Sequence, residues 1–290
     1  MEIPNELKDF RNFVYLAWDH LGLPEPTPVQ YDISEYLQDG PRRQIILAYR
    51  GVGKSYLTSA YVCWRLLLDP SLNILVVSAS KNRSDDFSTF TQRLINEMPI
   101  LEHLKARPEQ RDSKIAFDVG PAPASHAPSV KAVGITGQLT GSRADLIVAD
   151  DVESLNNSET QGMRDKLGNL VKEFDSILKP EGQVRYLGTY QTEMSLYKVL
   201  PDRGYTPRVW TGRYPKMEKV AAYGSYLAPY ILDKITDDPS LEGKPVDPKR
   251  FDEDDLVERE LSYGRSGFAL QFMLDPSLSD ADRYPLKLKD

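Results

Sequence analysis

One octapeptide limits what this chain can fold into more than any other feature. Ala48-Tyr49-Arg50-Gly51-Val52-Gly53-Lys54-Ser55 follows a short apolar run, Gln44–Leu47, and leads into a helically spaced stretch, Lys54–Leu68. The pattern matches the Walker A sequence G-x-x-x-x-G-K-[ST], with Ala48 in place of the first glycine. Between a strand and a helix, the backbone N–H groups of Gly51, Val52, Gly53 and Lys54 can wrap a β-phosphate, and the helix N-terminus adds a favourable dipole. Lys54 then neutralises the β- and γ-phosphates, and the Ser55 hydroxyl ligates Mg2+. An ordinary glycine-rich turn is the bland alternative. The cradle Gly51–Ser55 is complete without a glycine at 48, so the phosphate-binding reading is preferred.

The surrounding pattern suits that reading. Apolar runs at Gln44–Tyr49, Asn73–Ala79, Asp145–Ala149 and Val184–Thr189 alternate with helical stretches at Lys54–Leu68, Asn82–Met98 and Arg164–Leu178. Shorter strands are expected at Ile115–Val119 and Val130–Ile135. Such alternation predicts an α/β fold with a mainly parallel central sheet flanked by helices; with the Walker A loop in it, the expected fold resembles that of P-loop NTPases of the RecA-like kind. Two helices, Glu6–His20 and Val29–Leu37, precede it, separated by Pro24-Glu25-Pro26-Thr27-Pro28. After Thr189 the alternation fades and prolines punctuate the chain. The expected division is a core over 1–200 and a small appended subdomain over 201–290.

Composition narrows the class without choosing a partner. The 290 residues are 40% hydrophobic and 27% charged, as in soluble globular chains. No run approaches the roughly 20 apolar residues of a membrane span, and the charged opening Met1–Asn12 lacks the apolar core of a secretory signal. One cysteine and three histidines exclude a Cys/His zinc site and suit a reducing cytosol. The net charge is −7, but the window from Asp237 to Glu260, with ten acidic and four basic residues, holds −6 of it. The rest of the chain is nearly neutral, so local basic patches are free to exist.

A phosphate loop that hydrolyses its ligand needs acids at the end of a nearby strand. Asp145–Ala149 ends in Asp150-Asp151-Val152-Glu153. Asp150 is the expected magnesium-side acid. Either Asp151 or Glu153 can position the attacking water, and the sequence leaves that choice open. The guanine-reading Asn-Lys-x-Asp signature is absent, which favours ATP, with Mg2+, as the cofactor.

With these residues assembled, the chain resembles the large subunit of DNA-packaging terminases of tailed, T7-like bacteriophages. The resemblance rests on the arginine-bearing Walker A, on Leu139-Thr140-Gly141-Ser142-Arg143-Ala144-Asp145 running into the acids, on Leu187-Gly188-Thr189, and on Pro28-Val29-Gln30. The last two look like the family's coupling motif, Gly188 and Thr189, and its adenine-reading glutamine, Gln30. What the resemblance implies is an ATP-driven motor that moves double-stranded DNA into a procapsid in the cytoplasm of an infected host. Its implied partners are a portal protein, a small terminase subunit and further copies of itself in a ring, expected to be a pentamer. Arg143 matches an arginine that reaches a neighbour's nucleotide, and Arg50 one that acts in its own subunit. Two departures stand out. Many members carry Asp-Glu where this chain has Asp150-Asp151 with Glu153 beyond, and the family's C-terminal nuclease is not expected within these residues, which end Arg283–Asp290. The chain is therefore expected to be the motor portion of a longer protein, without cutting activity.

Lys81 and Arg83, after the second strand, and Lys131 are candidates for DNA phosphate contact. The acidic run Phe251–Glu260 reads as a solvated helix. A helicase lobe of the superfamily-2 type is the alternative reading, since it shares the phosphate loop, the acids and a Gly-Thr strand. It requires a second α/β lobe, and no further alternation follows Thr189. A nucleotide-dependent switch is a third reading, against which the acids after the strand argue.

Overall fold

The computed structural model describes residues 3–139 and 141–275; Thr140 of the Leu139–Asp145 motif and the closing Arg283–Asp290 lie outside them. Within the described residues seven strands form one sheet: β1 (Arg43–Ala48), β2 (Ile74–Ser78), β3 (Ala116–Phe117), β4 (Val130–Gly134), β5 (Ala144–Asp150), β6 (Leu178–Gly188) and β7 (Thr206–Trp210). Their order is β3-β4-β2-β5-β6-β1-β7, and every pairing is parallel except β3 with β4. The central strands are buried almost throughout, as their unbroken Ile, Leu and Val runs require.

Among the described residues, eleven α-helices accompany the sheet: α1 (Phe10–His20), α2 (Pro28–Asp39), α3 (Lys54–Leu68), α4 (Lys81–Glu97), α5 (Leu155–Ser158), α6 (Gln161–Leu170), α7 (Glu173–Ile177), α8 (Leu196–Val199), α9 (Met217–Val220), α10 (Pro229–Asp237) and α11 (Glu253–Gln271). α1 packs on α2 and α3, with Phe10 set among Phe13, Tyr61 and Trp64. Among the described residues, no helix is long and apolar enough to cross a membrane.

Register places the chemistry. Ser78 pairs with Asp150, Asp150 with Leu187, Leu47 with Gly188 and Ala48 with Trp210. Five parallel strands thus end in one row, and the loops leaving β1, β5 and β6 emerge side by side. In open α/β sheets, ligands bind beyond the carboxyl ends of the strands.

Several boundaries differ from expectation. The first helix does not run from Glu6: a 3-10 turn, Asn5–Lys8, stops short, and the Asp9 carboxylate caps α1 by accepting from the Arg11 amide at 2.9 Å. The stretch Arg164–Leu178 is two helices, α6 and α7. β6 starts at Leu178, with an irregularity against β5 between Ala144 and Leu146 and with Glu181 at φ +62°. β7 lies beyond the boundary expected at residue 200, so the sheet extends into the region assigned to the appended subdomain. Pro207 hid it: proline cannot serve a central strand, but an edge strand has an open side where the missing N–H is unneeded.

Candidate nucleotide site

The loop after β1 is shaped by two glycines at positive φ, Gly51 at +90° and Gly53 at +98°. That region penalises any residue with a Cβ. Space excludes one as well: a Cβ would stand 2.6 Å from the Phe251 ring at Gly51 and 3.0 Å from Gln30 Nε2 at Gly53. Gly53 caps α3, leaving the helix's first N–H groups pointed into the loop. Val52 is buried, and its carbonyl accepts from Gln30 Nε2 at 2.8 Å. Gln30 Oε1 accepts from the Thr27 amide at 3.0 Å, so the glutamine links the α2 capping box to the phosphate loop.

Lys54 is buried. Its Nζ donates to Thr189 Oγ1 at 2.8 Å and to the Ala48 carbonyl at 3.1 Å, while Thr189 Oγ1 itself donates to the Ala48 carbonyl at 2.9 Å. The residue after β6 and the phosphate-loop lysine therefore share an acceptor. Gly188, at the end of β6, leaves room for the Tyr197 ring, which a Cβ would strike. Burial lowers the Lys54 pKa, against the pull of Asp151 and Asp150.

The acids divide by environment. Burial first, and the neighbouring Asp151 second, push the Asp150 carboxyl up to about 7, opposed by Lys54, Arg83 and the Thr58 hydroxyl. Asp151 turns the chain off β5 at φ +46°, a conformation that short polar side chains tolerate better than most, and its amide donates to the Leu187 carbonyl at 2.8 Å. Oδ1 of Asp150 and Oδ1 of Asp151 are both buried without a hydrogen-bond partner. Glu153 is engaged elsewhere: its carboxylate accepts from the amides of Gln191 at 3.3 Å and Leu196 at 2.5 Å. Burial raises its pKa against those bonds.

A cavity of about 250 Å³ brings together Arg50, Gly51, Gly53, Lys54, Ser55, Asp151 and Thr189. A second, of about 410 Å³, shares Ser55 and Asp151 and adds Asp150 and Arg83. Ser55 is exposed to both. Orphaned acid oxygens, an open hydroxyl and a backbone cradle fit a magnesium nucleotide. Among the described residues no group of three or more His, Cys, Asp or Glu side chains is placed to hold a metal ion. Ser55 and Asp150 as a pair suit Mg2+, which keeps water and phosphate oxygens in its shell.

The remaining candidates are placed in different ways. Glu153 lines a separate cavity, with Arg164 and Leu196. Arg50 is exposed, and its guanidinium donates to Gln271 Oε1 at 2.7 Å, with no acid pairing it among the described residues. Arg143 precedes β5, a strand length of roughly 20 Å from Asp150 at about 3.3 Å per residue; it is exposed and donates to the carbonyls of Ser142 at 3.0 Å and Ser176 at 3.2 Å. Lys131, on β4, donates to Ser142 Oγ at 2.9 Å in the same neighbourhood. Lys81 is exposed and paired with Asp85 at 2.8 Å. Arg83, read from sequence as a DNA contact, lines the cavity of the acids. Arg250 was missed: its Nε donates to the Gly51 carbonyl at 2.9 Å. Nothing in the acidic window around it signalled a phosphate-loop contact.

Fold and site together define the P-loop class: a parallel sheet with a glycine-formed cradle at its carboxyl edge and paired acids two strands away. Comparison with known proteins narrows the class. The chain belongs to the terminase large-subunit family, being 54% identical over 288 residues to the large terminase subunit of Enterobacteria phage T3, a match covering 97% of this chain and 49% of that protein. It thus spans about half the length of that relative. Its fold is similar to that of the HK97 bacteriophage large terminase, with a TM-score of 0.57 over 93% of this chain and 55% of that one; at 15% identity this shows the fold alone. No family model matches the chain.

Proposed function

We propose that this chain is an ATP-hydrolysing motor domain of a phage terminase, coupling hydrolysis to movement of double-stranded DNA into a procapsid. The observation that carries this reading is the contact of Lys54 with Thr189 and Ala48 beside two partnerless acid oxygens. The phosphate loop, the end of β6 and the end of β5 meet there. The loop amides and Lys54 hold the phosphates, and Ser55 and Asp150 hold the Mg2+, which supplies charge neutralisation of the phosphate oxygens. Asp151 orients the attacking water, because it faces the phosphate cavity while Glu153 clasps the segment after β6. Gly188 and Thr189 carry the nucleotide state into that segment, and Gln30 faces the base.

Arg50 stands beside the γ-phosphate in its own subunit. Arg143 serves the nucleotide of a neighbouring copy, since the length of β5 separates it from its own. A ring of copies, a portal protein and a small terminase subunit complete the assembly in the infected cell's cytoplasm. DNA phosphates meet surface cations such as Lys81; Arg83 and Lys131, also candidates, sit at opposite ends of the sheet. The 54% identity to a terminase makes the helicase lobe the less favoured reading.

The test is ATP turnover per molecule across a wide range of protein concentration, with and without linear duplex DNA. Turnover per molecule is expected to rise with concentration in the wild-type chain and to stay low and flat in Arg143→Ala. A substantial rate independent of concentration would mean that every catalytic group acts in cis, and the ring reading would fall.

A further inference from the structure

The phosphate-loop cavity is bounded by Arg250, and beyond Arg250 lies another cavity, of about 200 Å³, walled by Trp18, Leu23, Pro24, Thr27 and Gln30. Arg250 is the residue that lines both. Its side chain is exposed but tied to the loop. Its Nε donates to the Gly51 carbonyl at 2.9 Å, and its guanidinium lies 6.0 Å from the centre of the Phe251 ring. The turn that bears it is anchored by the buried Asp247, whose carboxylate accepts from Thr27 Oγ1 at 2.6 Å and from the Tyr49 hydroxyl at 3.1 Å. The Asp247 carbonyl in turn accepts from the amides of Arg250 at 3.0 Å and Phe251 at 2.9 Å. The two terminal guanidinium nitrogens make no hydrogen bond or ion pair among the described residues, although one edge of the group is committed to Gly51. A fixed guanidinium with two free nitrogens matches a phosphate's geometry.

Connectivity says which phosphate. A nucleoside triphosphate is linear: base, ribose, then α-, β- and γ-phosphates. The loop amides take the β-phosphate, and the neighbouring cavity, lined by Glu25 and Lys249 as well as by Trp18 and Gln30, has room for a base. The wall between them is where the α-phosphate must pass. We infer that Arg250 is a nucleotide-binding residue whose guanidinium contacts the α-phosphate, with the nucleoside seated against Trp18 and Gln30. This rests on the P-loop reading and adds to it a binding group from far along the chain, in the acidic window.

The competing account is that Arg250 only buttresses Gly51 and acts through the loop. Displacement of a fluorescent ATP analogue from the full 290-residue chain by adenosine, AMP, ADP and ATP separates the two. Arg250→Ala is expected to weaken AMP, ADP and ATP alike by roughly ten- to hundred-fold, the scale of a hydrogen bond to a charged group, and to leave adenosine unchanged. Arg250→Lys should recover part of the loss, and Arg250→Gln, which keeps the stem, guards against a folding defect, with Tm as the check. A loss confined to ADP and ATP with AMP spared would overturn the inference in favour of buttressing. Unchanged affinities, or AMP that never displaces the probe from the wild-type chain, would overturn it outright. Lys54→Ala is the control: if that variant keeps wild-type affinity for ADP and ATP, the P-loop reading itself has failed.

Discussion

At the carboxyl ends of β1, β5 and β6, Lys54 is buried and bonded to the Thr189 hydroxyl and the Ala48 carbonyl, with Asp150 and Asp151 near enough to act on its charge. At the opposite end of the same sheet, Arg143 and Lys131 meet only main-chain carbonyls and a serine hydroxyl, and Arg143 is exposed. The first arrangement is preorganised: low dielectric strengthens each charge's effect on a ligand, and little reorganisation is needed when one binds. The second is open, with long side chains free to find another partner. The contrast teaches that the two ends of one sheet are built differently, one closed around its own polar groups and one open, with the length of β5 between them.

The comparison can be broken most severely at the buried end. Lys54→Ala should reduce phosphate release to background while far-UV circular dichroism remains native; undiminished release would remove the phosphate-loop assignment. At the open end, Arg143→Ala should lower turnover by about 10³-fold or more, the range of an arginine finger. Mixing it with Lys54→Ala should restore part of the activity, because each variant supplies what the other lacks. No recovery on mixing would argue that the two ends never meet between copies.

Within the buried end, Asp151→Asn should lower turnover by about 10²- to 10⁴-fold, as expected for a group that assists proton transfer, with Tm little changed. Glu153→Gln should do the reverse, lowering Tm by loosening its clasp on Gln191 and Leu196 while costing less in chemistry. The opposite pattern would exchange the roles of the two acids.

The smallest effect sharpens the electrostatic side. Because the Asp150 carboxyl is raised from the usual range near 4 to about 7, the folded, metal-free chain binds more protons than the unfolded one between those values. Its stability therefore falls as pH climbs through that window and levels off above about 7. Asp150→Asn should raise the metal-free Tm by a few degrees at pH 8, with the gain shrinking to nothing near pH 4. An equal gain at both pH values would show that the buried charge is not its source.

Much of this was legible in the residues. α3 begins and ends where the helical spacing and the Gly-Lys-Ser signature place it, and the alternating apolar runs locate β1, β2, β5 and the end of β6. β7 was not, because Pro207 reads as a strand breaker until an edge position makes it harmless. α6 and α7 were fused in the reading because helical spacing persists across the break. That Arg83 lines the cavity of the acids was not legible either, because it follows from the register of β2 against β5.

The sequence by itself determined the phosphate loop, the parallel sheet and the family resemblance, because those depend on local periodicity and on short motifs whose residues are neighbours in the chain. Only the tertiary structure placed Asp151 in the phosphate-loop cavity and Glu153 in another, set Arg143 a strand's length from Asp150, and brought Arg250 against a loop some two hundred positions earlier. Those are long-range contacts, set by strand order and by how loops turn off the sheet. Residue spacing along a chain carries no record of which strand ends are brought side by side.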